Sequence, residues 1–273
     1  VGRAVLHALD QGRAAIVATF DPHPVRHFRP DAPPFRLTTL DQRQELFAAA
    51  GADAMLVLPF DAAMAATSAE DFITALLLDR YGAAGVVTGA DFVFGKGRSG
   101  NVVTLADHAR QLGFFTEMVS PVGDGDAVVS SSRIRAALQA GDPAAAARLL
   151  TRPFTVRGLV QHGDKNGRKL GFPTANIDMG SYLRPRYGIY AVTGHLSDGR
   201  MLKRAANLGI RPSFSPPKEL LEPHFFDFAE DLYGQEIDVA FHAFIRPEAK
   251  FASMDALMAQ MAKDCDAARV VLG

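Results

Sequence analysis

The chain changes its pattern near residue 150, and this change restricts the folds available to it. On the N-terminal side, short apolar runs typical of strands alternate with amphipathic helical segments; the runs are 14–20, 54–60, 85–89 and 114–119, and the helices include 40–50 and 68–81. Regular alternation of strand and helix predicts an α/β, Rossmann-like domain with a parallel, doubly wound sheet.

From residue 151 onward, β-rich segments such as 188–196 and 200–208 are separated by tight turns, which predicts an antiparallel β-barrel. A final helical segment, 253–272, is expected to pack on this barrel through its apolar residues Met254, Leu257, Met261 and Ala262. The sequence therefore predicts two domains, 1–150 and 151–273.

Composition narrows the class of protein and of ligand. With 48% hydrophobic and 22% charged residues, the chain has enough apolar material for two globular domains. A net charge of −1 provides no basic field for nucleic acid or an anionic membrane surface, so small molecules are the expected partners. Cys265 is the only cysteine and no apolar run reaches membrane-spanning length, which indicates a cytoplasmic protein.

The segment 157–176 combines glycines, cations and hard oxygen ligands. Its glycines allow backbone amides to approach phosphate oxygens, and Lys165, Arg168 and Lys169 supply positive charge. Thr174 and Asn176 offer oxygen ligands suited to Mg²⁺. The segment is not a Walker A loop, because the Gly-Lys-Ser/Thr ending is absent. Taken alone, its glycines and cations also fit a hairpin with surface charges.

The string Gly167-Arg-Lys-Leu-Gly-Phe-Pro-Thr-Ala-Asn176 resembles the signature G-R-x-L-G-F-P-T-A-N of the riboflavin kinase family. The resemblance implies that Thr174 and Asn176 hold the metal and the nucleotide. It also implies an ATP and phosphate site formed by Gly163, Lys169, Gly171 and Pro173 together with those two residues.

Four further segments, 206–214, 220–228, 232–234 and 244–248, match the same family in the same order. In the family, the glutamate of the segment L-L-E-x-H accepts the proton of the riboflavin 5′-hydroxyl, and that residue is Glu222 here. The resemblance further implies flavin contacts by Glu222, His224 and Arg246, although a structural histidine is equally compatible with His224. Pro223 lacks a backbone donor, which puts the local strand pairing in doubt.

Three N-terminal segments resemble the bacterial FMN adenylyltransferases and their nucleotidyltransferase superfamily; they are 18–24, 87–95 and 129–135. The resemblance implies nucleotide and flavin contacts by His23, Asp91, Phe92, Ser131, Ser132 and Arg135. Serines that open a helix would offer hydroxyls and free amides to a triphosphate, yet such serines are also ordinary helix caps. His23 could equally stabilise a turn, and Phe92 could fill the core.

Members of the nucleotidyltransferase superfamily also carry a segment with the histidines of an H-x-G-H motif. No such segment occurs in these residues. The sequence opens at Val1 within a helical pattern, so we expect a preceding strand and loop to be missing from it. We therefore expect a polypeptide of residues 1–273 to make FMN but little FAD.

Across its full length the chain resembles the prokaryotic bifunctional riboflavin kinase/FAD synthetases, which join a nucleotidyltransferase domain to a six-stranded kinase barrel. The resemblance implies ATP as co-substrate, Mg²⁺ as cofactor, and riboflavin, FMN and FAD as substrates and products. Two alternatives are a monofunctional riboflavin kinase with a non-catalytic N-terminal domain and a flavin carrier without activity.

Overall fold

The computed structural model describes residues 1–125, 127–161, 176–211, 218–225 and 232–273, without the side chains of residues 211, 218, 224 and 225. The chain divides into two compact units, each held together by its own internal contacts. The first unit comprises Val1–Ala32 and Leu40–Val128, and the second comprises Pro33–Thr39 and Val129–Gly273.

The first unit alternates strands with helices, as the sequence predicts. Its strands are β1 (Ile16–Phe20), β2 (Ala54–Leu58), β3 (Gly85–Gly89), β4 (Val93–Phe94), β5 (Gly100–Asn101), β6 (Phe115–Val119), β7 (Gly123–Asp124) and β8 (Ala127–Val128). Its helices are α1 (Gly2–Asp10), α2 (Pro24–Phe28), α3 (Leu40–Ala49), α4 (Ala62–Ala66), α5 (Ala69–Asp71) and α6 (Val102–Leu112). The predicted helix 68–81 is α5 continued by a π-helix, Phe72–Arg80.

The long strands of this unit pair in parallel, which confirms the predicted parallel sheet. β1 pairs with β2, and β3 pairs with β6. No ladder joins these two pairs within the described residues. The core next to them contains Ile73 and Leu105, which are 0% and 1% exposed, with Phe72 and Phe94 beside them. The apolar faces of the helices therefore cover the strands, as expected of an α/β domain.

In its described residues, the second unit comprises an antiparallel barrel and three helices. Its strands are β9 (Phe154–Leu159), β10 (Ile177–Asp178), β11 (Gly188–Leu196), β12 (Met201–Arg211), β13 (Lys218–Phe225) and β14 (Glu236–Arg246). Its helices are α7 (Ser131–Ala140), α8 (Pro143–Leu150) and α9 (Met254–Leu272). The strand order is β10-β13-β12-β11-β14-β9 with every pair antiparallel, which confirms the predicted barrel.

The edge strands β9 and β10 approach each other closely enough to close most of the barrel. An isolated antiparallel bridge joins Gln161 to Asn176, and the Gln161 amide donates to the Asn176 carbonyl at 2.8 Å. A Cβ atom at Gly158 would lie 2.6 Å from the Cγ2 atom of Ile177, so only glycine permits this approach without a shift.

Aromatic rings fill the barrel interior. Phe154, Tyr190 and Phe241 are fully buried, and the Tyr190 and Phe241 rings meet edge to face with centroids 5.0 Å apart. The Tyr190 hydroxyl donates to the Arg186 carbonyl at 2.5 Å, which satisfies the polar end of this large side chain. Burial raises the pKa of Tyr190, so the phenol stays protonated in its role as donor.

Helices α7 and α8 contribute to the barrel core. Ile134, Leu138, Ala146 and Leu149 are buried in the same cluster as the barrel strands. The segment Pro33–Thr39 also joins this unit, through a parallel bridge between Arg36 and Tyr182. The barrel unit thus draws on residues that precede residue 150.

The helix α9 packs on the outside of the barrel, as predicted. Cys265 and Ala268 are buried against Ala191 and Ala205 of the strands. Of the predicted packing residues, Met254 and Ala262 are exposed, whereas Leu257 and Met261 are half-buried. Small side chains on the strands and on the helix allow the close approach, and the half-buried Leu257 and Met261 precede Cys265 along the same helix face.

An ion pair fixes α9 to β14. The Arg246 Nε and Nη2 atoms donate to the two Asp264 carboxylate oxygens at 2.8 and 2.6 Å. Gln260 also donates to Asp264 at 2.9 Å, and the Arg246 guanidinium lies 5.7 Å from the centre of the Phe251 ring. The Arg246 and Asp264 side chains are only 20% and 6% exposed, so this pair is largely removed from water.

Asp264→Asn is expected to destabilise the barrel unit, because it leaves the Arg246 guanidinium without a counter-ion. Breaking a buried ion pair from one side costs about 3–5 kcal/mol. Denaturant unfolding followed by circular dichroism measures the loss. The control is Asp266→Asn on the same helix, whose exposed pair with Arg269 should contribute at most about 1 kcal/mol. Equal losses in the two variants would contradict this account.

A fragment 129–273 is expected to unfold at a higher temperature than a fragment 151–273. The shorter fragment uncovers barrel surface against which Ile134, Leu138 and Leu149 pack, and each such side chain contributes about 1.5–3 kcal/mol when buried. Thermal unfolding of the two fragments by circular dichroism makes the comparison. Identical midpoints would favour a domain boundary at residue 150.

Candidate functional site

Four polar residues occupy consecutive strands of the barrel wall at one level. Gln161 and Asn176 are joined by the closing bridge, and Asn207 pairs with Glu222 between β12 and β13. The antiparallel register of β10 and β13, continued by one residue toward the start of β10, places Asn176 opposite Glu222. Side chains that are opposite in a ladder lie on the same face. We call Gln161, Asn176, Glu222 and Asn207 the polar row.

The polar row faces the outside of the barrel. Leu208 and Leu221, the neighbours of Asn207 and Glu222 along their strands, are both 0% exposed in the barrel core. Because successive side chains of a strand alternate between faces, Asn207 and Glu222 point outward. Glu222 is half-buried and Asn176 is 4% exposed, so the row is partly covered although it is outside the core.

The polar row brings together two of the residues predicted for the kinase site, Asn176 and Glu222. Neighbouring strands are about 4.8 Å apart, so the predicted metal ligand and the predicted base are adjacent. The ATP and metal residues Gly163, Lys169, Gly171, Pro173 and Thr174 lie outside the described residues. The described chain leaves the barrel at Gln161 and returns at Asn176, which places both ends of that segment at the polar row.

The β13 strand is continuous through Pro223, so the doubt about its pairing is resolved. Pro223 is opposite Ala206 of β12, and His224 is opposite Ala205. Pro223 is buried on the inner side of the strand. The side chain of His224 lies outside the described residues, and its predicted flavin contact stays a prediction.

Arg246 has a well-defined partner in the structure. Its guanidinium is bound to Asp264 of α9, a contact that no local pattern predicts because the two residues belong to different elements. Its predicted flavin contact stays a prediction beside this structural role.

Two residues near the predicted base were not singled out from the sequence. Asn207 completes the polar row on the side of Glu222 away from Asn176. Glu248 reaches over Gly209 of β12, where a Cβ atom would lie only 2.1 Å from the Glu248 Oε1 atom. Both residues belong to segments that match the riboflavin kinase family, and that match was the available signal.

A separate cavity of about 620 Å³ opens on the outer face near the end of α9. Within it, the Thr193 hydroxyl lies 3.2 Å from the His195 Nε2 atom and 3.0 Å from the His242 Nε2 atom. Burial, and then the charge of His195, lower the pKa of His242. None of the predicted site residues lines this cavity.

His23, Asp91 and Phe92 belong to the first unit. His23 caps α2, and its Nδ1 atom accepts a hydrogen bond from the Val25 amide at 3.2 Å, which is the turn-stabilising contact considered above. Asp91 is exposed just after β3. Phe92 is half-buried and stacks on Phe94, with ring centroids 5.2 Å apart.

Ser131, Ser132 and Arg135 belong to the second unit, at the start of α7. Ser130 is the capping residue and accepts from the Arg133 amide at 3.3 Å, so Ser131 and Ser132 occupy the exposed first turn. The Arg135 Nε atom donates to the Phe35 carbonyl at 2.9 Å, and its guanidinium lies 5.5 Å from the centre of the Phe35 ring. Burial lowers the pKa of Arg135. Arg135 thus holds the segment Pro33–Thr39.

Metal binding by a carboxylate or histidine cluster is not evident. The described residues contain no group of three or more His, Cys, Asp or Glu side chains arranged to hold a metal ion. The predicted Mg²⁺ ligands are of another type, a threonine hydroxyl and an asparagine amide, and of these Asn176 is described.

Two protein-family models match the chain, one in its C-terminal part and one in its N-terminal part. The riboflavin kinase model matches residues 150–272, and the FAD synthetase model matches residues 1–133. Across the part of the chain described by the structure, no helix has the length and apolar character needed to cross a membrane.

Individual proteins match over nearly the full length. The bifunctional riboflavin kinase/FMN adenylyltransferase of Escherichia coli K12 is 37% identical over 276 residues, covering 99% of this chain and 88% of that protein. The Bacillus subtilis protein of the same name is 34% identical over 269 residues, covering 97% and 84%. A crystal structure described as a macrolide-efflux protein from Streptococcus pneumoniae has a TM-score of 0.86 at 27% identity, covering 98% of this chain and 88% of that one.

The two family models together account for both units, and the curated relatives share their order along the chain. The chain belongs to the family of bifunctional riboflavin kinase/FMN adenylyltransferases.

Proposed function

We propose that the barrel unit transfers the γ-phosphoryl group of ATP to the 5′-hydroxyl of riboflavin, forming FMN and ADP. The N-terminal domain then transfers the adenylyl group of a second ATP to FMN, forming FAD and pyrophosphate. The feature that supports the kinase reaction best is the β10–β13 register, which, continued by one residue, puts Asn176 opposite Glu222 on the outer barrel face.

Glu222 acts as the base that receives the proton of the riboflavin 5′-hydroxyl. The hydroxyl oxygen forms a bond to the γ-phosphorus, the bond to the ADP oxygen breaks, and the carboxylate takes the hydroxyl proton. Glu222 is half-buried on a strand that is paired on both sides, so its backbone position is fixed. A rigid base is what a reaction dominated by positioning requires.

Asn176 and Thr174 would hold Mg²⁺ and the nucleotide, and of the two Asn176 is described next to Glu222. The Asn176 amide oxygen is a hard ligand of the type that Mg²⁺ accepts, and its backbone is held by the barrel closure. When bound, Mg²⁺ supplies positive charge that neutralises the transferring phosphoryl group. Gly163, Lys169, Gly171 and Pro173 bind the ATP phosphates, and His224 and Arg246 contact the flavin.

For adenylyl transfer, His23, Asp91 and Phe92 supply contacts from the first unit, and Ser131, Ser132 and Arg135 supply contacts from α7. The first-turn amides of α7, where helix amides lack intrahelical acceptors, favour a phosphate near Ser131 and Ser132. The enzyme acts in the cytoplasm, which its one unpaired cysteine, the buried Cys265, fits.

Incubating the protein with riboflavin, ATP and MgCl₂ and separating the flavins by chromatography tests the proposal. FMN is the expected first product. FMN without FAD from a polypeptide of residues 1–273 favours the monofunctional alternative for these residues, whereas FAD in quantity shows that they suffice for both reactions. Failure to form either flavin would leave only the carrier alternative.

Glu222→Gln is expected to lower kinase turnover by roughly 10²–10⁴, the usual contribution of a positioned general base, while riboflavin and ATP still bind. A coupled assay for ADP measures turnover, and calorimetry measures binding. The matched control is Glu219→Gln on the same strand, which removes a carboxylate that already binds Arg184 at 2.6 Å. Near-normal turnover of the Glu222 variant would remove it from the role of base.

Asn176→Ala is expected to weaken Mg²⁺-dependent nucleotide binding by at least about tenfold, by analogy with the loss of groups around other metal sites. The barrel should stay closed, because the closing hydrogen bond uses the Asn176 backbone carbonyl. Calorimetric titration with a non-hydrolysable ATP analogue, with and without Mg²⁺, measures the effect, and Thr174→Ala should behave alike. An equal loss of riboflavin affinity would indicate a folding defect instead.

A further inference from the structure

The side-chain carbonyl of Asn207 is a buried acceptor that nothing in the described structure satisfies. Its Oδ1 atom is shielded from solvent and receives no hydrogen bond. Leaving such a group unpaired typically costs about 1–3 kcal/mol, and nearly all buried polar groups in proteins are paired. A buried acceptor beside a candidate active site therefore indicates a donor that arrives with a ligand.

The position of Asn207 identifies where that donor must come from. Asn207 is directly opposite Glu222 in the β12–β13 ladder, and opposite side chains in such a ladder have Cβ atoms about 4.5–5.5 Å apart. Both side chains face the outside of the barrel. A group that hydrogen-bonds to Asn207 is thus within one residue spacing of the proposed base.

The metal ion proposed at Asn176 and Thr174 is not the ligand of Asn207. Asn207 and Asn176 are two strand spacings apart, about 9.6 Å, with Glu222 between them. Oxygen ligands of one Mg²⁺ lie about 2.0–2.1 Å from the ion, so they can be separated by at most roughly 4 Å. An ion held by Asn176 and Thr174 is therefore too far away to use the Asn207 oxygen as well.

We propose that the Asn207 Oδ1 atom accepts a hydrogen bond from a secondary hydroxyl of the polyol side chain of riboflavin. This inference rests on the proposed kinase function. The polyol chain carries its secondary hydroxyls next to the terminal 5′-hydroxyl that reacts. Binding one of them on one side of Glu222 directs the terminal hydroxyl toward the carboxylate and toward the phosphate on the Asn176 side. Asn207 is thus a substrate-positioning residue.

The test combines Asn207→Leu with two flavin substrates. Leucine is similar in size to asparagine but cannot accept a hydrogen bond. The second substrate is a flavin whose side chain is an unsubstituted alkyl chain ending in the same terminal hydroxyl. With riboflavin, kcat/KM is expected to fall by about 10- to 100-fold, since a buried donor of the substrate loses its partner. With the alkyl flavin, the variant should differ from the wild type by less than about threefold, because no secondary hydroxyl is present to bind.

The matched control is Lys203→Leu, which lies on the same strand and the same outer face but lines the separate cavity. It should change kcat/KM for either flavin by less than about twofold, as expected of a site that makes no contact with substrate. Thermal unfolding of both variants verifies that the barrel is intact. If Asn207→Leu does not fold, Asn207→Ala with the same two substrates replaces it.

Equal losses for both substrates, or no loss for either, would overturn the proposal, because neither result depends on the secondary hydroxyls. The outcome is separable from the role of Glu222. A selective loss with riboflavin in the Asn207 variant supports the hydroxyl contact even if Glu222→Gln retains turnover, since the two variants report on binding of the polyol and on proton removal respectively.

Discussion

The hydrogen bond from the Gln161 amide to the Asn176 carbonyl joins the edge strands of the barrel, and the candidate kinase site depends on this closure. Without it, the backbone of β10 would be paired in the described residues only with β13, through two residues, beside the packing of Ile177 in the core. The absence of a side chain at Gly158 makes the closure possible, because Ile177 occupies the space that a Cβ atom would need. Closure in turn fixes Asn176 beside Glu222.

The inner face of the barrel wall forms the apolar core, and the outer face carries the polar residues. Inward-facing residues such as Tyr190, Phe241 and Leu221 are fully buried and supply the apolar core. The outward face can then carry polar residues without weakening that core, because strand alternation keeps the two sets apart. On this face α9 covers Ala191 and Ala205, and the polar row and the cavity at Thr193 occupy other positions of the same face.

Hydrophobic periodicity and turn residues are local patterns, and they predicted the secondary structure of the chain. The parallel strands, the antiparallel barrel and the final helix follow from hydrophobic periodicity and turn residues, and they were confirmed. The packing of α9 was predicted only in part: Leu257 and Met261 lie on the packed face, but the burial of Cys265 and Ala268 depends on small residues of distant strands, Ala191 and Ala205. The participation of α7 and α8 in the barrel core likewise depends on contacts that no local pattern encodes.

The candidate site was predicted only in part, because its assembly also depends on contacts between residues far apart in sequence. A family resemblance predicts Asn176 and Glu222, and the register of β10 and β13 explains why residues so far apart in sequence belong together. Asn207 carries no local signal of its own, since a single asparagine in a strand is uninformative. Its significance arises only when the ladder places it beside Glu222 and leaves its carbonyl buried without a partner.

Strand spacing offers a physical reason for locating phosphoryl transfer on such a wall. Adjacent strands hold their side chains about 4.8 Å apart, which leaves room for one reacting group between a metal ligand, a base and a hydroxyl acceptor. A base must approach its proton donor within about 2.6–3.2 Å, and reacting atoms must approach within about 3–3.5 Å. Backbone hydrogen bonds, not the side chains themselves, hold Asn176, Glu222 and Asn207 at that spacing. Truncating one of these side chains should therefore leave the other two in place, so their contributions can be separated experimentally.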